Sequence, residues 1–329
     1  MKVYALEEHM ATADVIAAWR RSNPHLPEPM MKWALASDAT PALLDLGDGR
    51  LAAMDDAGID TAVLSLTTPG LQNLDAAEAV ALQGPTNDTI AAAVRRHPDR
   101  LQGFATLATP DPAAAAAELQ RAVTELGLNG VMINARSGDR SVDATEFWDI
   151  YEAAAHLRVP VYLHPRAPLP TVHQAYYNGF TEPISHLLAT GAIGWHYDAG
   201  LTLLRMVVSG LFDRFPSLQV ILGHWGEVVL FYLDRIAVLA GVTNLQRPVA
   251  EYFRTNIFIT PGGIPSHTYL RWSLETVGAE RIMYASDYPF NRERDGSARR
   301  FLDTAPISDT HRENIAHRTW ERLVAGIRR

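Results

Sequence analysis

The chain has no cysteine among its 329 residues, which excludes disulfides, thiolate nucleophiles and cysteine-ligated zinc. Lysine is nearly absent as well. Only Lys2 and Lys32 occur, so there is no lysine for a Schiff base on a later strand, nor for a carboxylated bridge between two metal ions on a central strand. No apolar run approaches the roughly 20 residues that span a bilayer. The opening residues MKVYALEEHM place two glutamates and a histidine where a signal peptide needs an unbroken apolar stretch. A cytoplasmic protein without membrane contact is expected. An excess of positive charge is missing too, and the net charge of -8 argues against a nucleic-acid surface.

What is present reads as one large α/β domain. Short β-branched runs alternate with long Ala/Leu-rich helical patterns, the mark of repeated βα units. Strands are expected at 2–8, 61–66, 101–107, 129–134, 159–164, 218–223, 255–260 and 281–286. Helices are expected near 48–58, 72–97, 112–126, 144–157, 200–214, 226–240, 266–277 and 293–303. Eight strands each followed by a helix predict a (β/α)₈ TIM barrel spanning residues 1–329 as a single domain. Two connections are longer than a βα turn requires. They are 10–47 after strand 1, with Pro24, Pro27, Pro29 and Trp33, and 165–199 after strand 5. Both are expected to emerge at the C-terminal face, where barrel enzymes build their sites.

The ionisable residues gather at the same face. Side chains alternate along a strand, so Val3, Ala5, Glu7 and His9 are expected on one face, with Glu8 pointing outward. Residues i and i+2 then form a two-ligand claw. The strand VPVYLHP ends on His164, LQVILGHWGE ends just before His224, and RIMYASDYPF just before Asp287. Burying Glu7 and Asp287 together without a cation costs several kcal/mol, and a divalent metal removes that cost. Nitrogen and carboxylate ligands without thiolate suit Zn²⁺ or Mn²⁺. Asn134 stands where a two-metal barrel needs its bridging lysine, so one ion is expected and no organic cofactor. Of the other histidines (25, 97, 156, 173, 186, 196, 267, 311 and 317), most read as structural or surface residues. His196, beside Trp195 in the second long connection, is the exception.

These residues resemble the amidohydrolase superfamily, and within it the metal-dependent nonoxidative decarboxylases that act on γ-resorcylate, 2,3-dihydroxybenzoate and aminocarboxymuconate semialdehyde. The carriers are LEEH at 6–9, RLAAMDDAGID at 50–60, LHPRAPLP at 163–170, SGLFDRFPSLQVILGHWGE at 209–227 and ASDYPF at 285–290. Glu-x-His on strand 1 together with HPRxPLP is most similar to the hydroxybenzoate branch. The resemblance implies that Glu7, His9, His164 and Asp287 bind the metal and that His224 stands close by. It also implies that Asn134 is a polar pocket position, and that Arg235 reaches the pocket of a neighbouring subunit in a homodimer or homotetramer. Met10, Asn291 and Thr202 depart from the pattern, where Phe, Glu and His are expected, and they bear on the substrate.

The expected reaction is decarboxylation of a small aromatic acid chelated through its carboxylate and an ortho hydroxyl, with Asp287 protonating the carboxylate-bearing carbon. His224, with Glu227 three residues on, is placed to orient Asp287 or relay the proton. Arg166, Tyr288, Phe290 and Trp225 are candidates to line a flat pocket. The alternative is a mononuclear-metal hydrolase of a lactone or ester using the same ligands. A non-enzymatic barrel would bind no stoichiometric metal.

Overall fold

The computed structural model describes residues 1–21, 39–291 and 294–329. Pro24, His25, Pro27, Pro29 and Trp33 of the first long connection lie outside the described residues. Seven wall strands are β1 (Tyr4–Met10), β2 (Thr61–Leu66), β3 (Leu101–Gly103), β4 (Val131–Asn134), β5 (Val161–His164), β6 (Val220–Leu222) and β7 (Ile257–Ile259). All their ladders are parallel: β1 with β2, β2 with β3, β4 with β5, β5 with β6, and β6 with β7. Single bridges complete the ring. Ala105 pairs with Val131, Ile259 with Ile282, and Ala285 with Leu6, so the segment 282–285 is the eighth wall element and returns the sheet to β1. Leu6 N–H donates to the Tyr284 carbonyl at 3.0 Å and His9 N–H to that of Tyr288 at 2.7 Å, which seals the junction. The chain is an eight-fold α/β barrel.

Alternation along the walls stacks the lumen in layers. Leu6, Val63, Phe104, Met132, Tyr162, Ile221, Phe258 and Met283, each within a wall element except Phe104, which directly follows β3, form a buried apolar floor with Trp320 packed against it. Two residues further along most strands the lumen turns polar or bare, with Ser65, Asn134, His164, Gly223 and Thr260. The opposite faces, including Val3, Ala5, Leu64, Val131, Leu163 and Leu222, join the larger core under the helices.

This layering corrects the expected phase of β1. Val3 and Ala5 face the helices, and Leu6 faces the lumen. The register against β2 shifts between Ala5 and Glu8, and Glu7 has a φ of 66°. One extra residue in the strand resets the alternation. Glu7 and His9 therefore still reach the site, by way of a β-bulge. Glu8 points out of the lumen as expected, yet it is buried, accepting the Ser286 N–H at 3.1 Å and hydroxyl at 2.8 Å.

The helices sit where the pattern placed them, with two differences. The one expected near 226–240 is broken into short turns, because Trp225, Gly226, Glu227 and Val228 all have positive φ (55°, 84°, 50° and 69°) and cannot propagate a right-handed helix. The second long connection is largely helical, with Glu182–Ala189 followed by Gly194–Val208. Among the described residues no helix is long and apolar enough to cross a membrane.

Candidate metal centre

Glu7, His9 and His164 offer ligand atoms that all lie within 4.8 Å of one another, and all three residues are buried. Asp287, two residues past the eighth wall element, joins them, its Oδ1 3.2 Å from His9 Nε2. Asp287 is held with a φ of 60°, so both carboxylates of the cluster stand on left-handed backbone. Such strain persists only where the surroundings enforce it, and it concentrates at functional sites.

The hydrogen bonds show which atoms remain to bind a cation. The Pro165 carbonyl, 2.7 Å from His164 Nδ1, can only accept, which puts that ring's proton on Nδ1 and leaves a lone pair on Nε2. That lone pair faces Glu7 Oε1 at 3.4 Å, and once Glu7 is ionised the two meet acceptor against acceptor. Glu7 Oε1 and His9 Nε2 are both buried without a hydrogen-bond partner. Converging, unsatisfied donor atoms of this kind fit a divalent cation. Glu7 Oε2 is satisfied, accepting the Tyr162 hydroxyl at 2.5 Å, and that hydroxyl also meets Thr260 Oγ1 at 2.7 Å. Burial pushes the Glu7 carboxyl up to about 8, with the charges of Asp287 and Glu227 acting in the same direction. Burial, with His9 and His224 nearby, holds His164 well below the usual imidazole range, and a neutral ring is the form that ligates a metal.

Gly223 makes room for this cluster. A Cβ there would lie 3.2 Å from both Glu7 carboxylate oxygens and from the Tyr162 hydroxyl. Gly223→Ala is expected to shift Glu7, lower metal affinity at least tenfold and cost about 1–3 kcal/mol of stability. Metal titration and thermal unfolding read the two effects, and wild-type values in both would show that Glu7 has slack.

Beside the cluster stands a second group. His224 Nδ1 donates to Glu227 Oε1 at 2.7 Å, and His196 Nδ1 donates to Glu227 Oε2 at 2.7 Å. His224 Nε2 faces Glu7 Oε1 at 4.0 Å. Burial opposes charge on His224, but Glu227 and Glu7 outweigh it and carry its pKa up to about 10. Burial opposes charge on Glu227 likewise, and the two imidazoles hold it below the usual carboxylate range. Above both groups opens a cavity of about 320 Å³, reached by His164, His196, His224 and Asp287.

A family model described as amidohydrolase matches residues 25–325. The chain belongs to the amidohydrolase family. This amidohydrolase is 34% identical over 325 residues to the γ-resorcylate decarboxylase of Polaromonas sp. strain JS666, with 94% of each chain covered. It matches the crystal structure of 5-carboxyvanillate decarboxylase from Sphingomonas paucimobilis with a TM-score of 0.89, at 33% identity over 99% of each chain. It matches a dihydroxybenzoic acid decarboxylase from Polaromonas sp. JS666 with a TM-score of 0.85, at 31% identity, covering 98% of this chain and 97% of that one. That crystal holds manganese and the inhibitor 2-nitroresorcinol.

In this amidohydrolase the candidate pocket residues take different places. Phe290 lines the cavity, its ring 5.6 Å from that of His9. Trp225 packs into the core instead, donating Nε1–H to the Ile264 carbonyl at 2.7 Å. Asn134 spends its side-chain amide on the Pro69 carbonyl at 3.1 Å and on Gln72 Oε1 at 3.2 Å. Arg166 donates to the carbonyls of Arg136 at 3.1 Å and Gly138 at 3.2 Å, steadying the hairpin after β4. Tyr288 lies outside the lumen under the Arg50 guanidinium, at 4.9 Å. Arg235 is exposed and does not line the cavity of its own chain.

Several residues at the site escaped the sequence reading. His186 lines the cavity although its position suggested a surface role, and so do Leu187, Thr190 and Trp195 from the same connection. Tyr162 was legible in principle, since it precedes His164 by two residues on β5 and so shares its face. Asn291, a departure from the family pattern, donates to Asp287 Oδ2 at 2.8 Å.

Proposed function

We propose that this amidohydrolase is a carboxy-lyase catalysing metal-dependent, nonoxidative decarboxylation of an ortho-hydroxylated aromatic acid. Glu7, His9, His164 and Asp287 would hold one divalent ion, Zn²⁺ or Mn²⁺. What carries the reading is the set of unsatisfied buried ligand atoms, Glu7 Oε1 and His9 Nε2 with the His164 Nε2 lone pair, clustered beside a cavity that His164 and Asp287 line and that is sized for a substituted benzoate. Relatives of the same length that act on hydroxybenzoates support it. When bound, the ion supplies Lewis acidity that fixes the carboxylate and the ortho oxygen and stabilises negative charge on oxygen.

The chain's own groups do the rest. Phe290 offers a face for the aromatic ring. Asp287, at the cavity wall, gives its proton to the ring carbon that bears the carboxylate. The carbon–carboxylate bond then breaks, its electron pair restores the aromatic ring, and CO₂ leaves. One proton is consumed per turnover. The His224 imidazolium faces Glu7 and balances the carboxylates of the site.

Exposure of Arg235 fits a homodimer or homotetramer in which it serves the neighbouring cavity. The deciding experiment incubates Mn²⁺- or Zn²⁺-loaded protein with a panel of ortho-hydroxybenzoates and measures CO₂. Release from at least one is expected. Opening of a lactone with every hydroxybenzoate untouched would replace decarboxylation with hydrolysis.

A further inference from the structure

We propose that His196 is a positioning residue for this reaction, holding the carboxylate of Glu227 so that Glu227 in turn aims His224 at the metal-ligand cluster. The inference rests on the decarboxylase reading for its kinetic consequences and on geometry for its structural ones.

Glu227 is fully buried and each of its oxygens is committed to one imidazole, Oε1 to His224 and Oε2 to His196, both at 2.7 Å. A carboxylate held at one oxygen can swing about that bond. Held at both, its plane is fixed, and so is the imidazole it orients. Glu227 needs such restraint because its backbone is left-handed, with a φ of 50°, and no helix sets the direction of its side chain.

His196 is itself held in one tautomer. The Trp195 indole N–H donates to His196 Nε2 at 2.9 Å. An indole nitrogen can only donate, so Nε2 carries the lone pair and the ring proton sits on Nδ1, the atom facing Glu227. The Gly191 carbonyl, 3.2 Å from the same Nε2, is the longer contact and would need the proton that the indole displaces.

The helix that carries His196 is built for this approach. Gly200 lies four residues on, hence on the same face. A Cβ at Gly200 would stand 2.2 Å from the Glu227 carbonyl oxygen and 2.9 Å from Val229. Only glycine lets the helix Gly194–Val208 press against the segment that bears Glu227, bringing the His196 and His224 ring centroids to 4.4 Å. The second long connection is thereby joined to the metal-ligand cluster through Trp195, His196, Glu227 and His224.

The test compares wild type with His196→Ala, His196→Asn and Trp195→Phe, each loaded with Zn²⁺, by steady-state kinetics and by NMR of imidazole N–H protons. Asn places an N–H donor close to where His Nδ1 stands. Because His224 faces the ligand Glu7, its displacement by about 1 Å misplaces charge beside the reacting groups, an effect that costs up to about 100-fold in rate, so His196→Ala is expected to lower kcat about 10- to 100-fold. KM should stay within about twofold of wild type and metal content should be unchanged. His196→Asn is expected to restore most of the rate. Trp195→Phe, which leaves the His196–Glu227 bond but frees the tautomer, is expected to lower kcat less, and it keeps the test open if His196→Ala fails to fold. The downfield His224 Nδ1–H resonance should move in His196→Ala and return in His196→Asn. A wild-type kcat in His196→Ala overturns the proposal. So does a change in KM alone, or a loss that Asn does not rescue while the His224 resonance stays in place. Wild-type protein inactive on the whole panel would instead sink the decarboxylase reading, and the NMR comparison would still decide whether His196 positions His224.

Discussion

Asp287→Asn is expected to lower kcat for CO₂ release by about 10²- to 10⁴-fold while the protein still takes up one metal ion per chain. The amide keeps an oxygen toward His9 but has no acidic proton to give the ring carbon. The proposed ligands Glu7 and His9 should behave differently. Glu7 and His9 supply the two orphaned buried atoms of the centre, so their loss should empty it. Asp287 stands at the rim, lining the cavity with Oδ2 anchored by Asn291 at 2.8 Å. Elemental analysis separates ligand from acid, and turnover in D₂O should place deuterium on the vacated carbon of the wild-type product. A variant that lost metal in proportion to rate would make Asp287 a ligand and nothing more. One that kept full rate would move the acid elsewhere.

Stripping the metal with a chelator is expected to abolish activity and to destabilise the protein, with both restored by stoichiometric Mn²⁺ or Zn²⁺. The size of the stabilisation follows mass action, about 2.7 kcal/mol when free metal is 100 times its Kd. Its pH dependence has a definite sign. The Glu7 carboxyl rises on folding from its ordinary 4.5 to about 8, so the stability it permits in the metal-free protein is complete below 4.5 and is lost as pH rises through 8. His224 rises from 6.5 to about 10, so its contribution is complete below 6.5 and is lost as pH rises through 10. Glu227 is shifted down on folding, and its contribution fades instead as the pH falls below 4.5. The metal-free protein should therefore be most stable in mildly acid solution. The metal competes with the Glu7 proton, so its affinity climbs as the pH rises toward 8. The difference in Tm between loaded and stripped protein should accordingly be larger at pH 8 than at pH 6. Calorimetry at the two values checks this, and a gap that narrowed with rising pH would show that Glu7 is not the group the metal discharges.

The parts of the site that were legible in the sequence are those at ends of regular strands. His164 closes β5, and Asp287 follows the eighth wall element, so counting along an apolar run was enough to find them. Phe290, three residues beyond Asp287, came with them. Residues placed by loops were read less well. Trp225 and Arg166 follow strands closely and looked like pocket walls, but left-handed backbone turns the first into the core and a hairpin engages the second. His186 and Trp195 belong to a connection whose course no local period describes, and only packing brings them to the cavity.

The missing cysteines and late lysines, together with histidine and carboxylate at strand ends, pointed to a candidate centre for a single metal ion in a barrel before any coordinates, because the ligand types and the apolar runs that end on them are local properties of the chain. Tertiary structure decided the phase of β1, where a bulge at Glu7 turns Leu6 inward and Val3 and Ala5 outward, since register depends on the neighbouring strand. It also decided that His196 meets Glu227 across 31 residues of sequence, because the close approach allowed by Gly200 is a fact of packing that no spacing records.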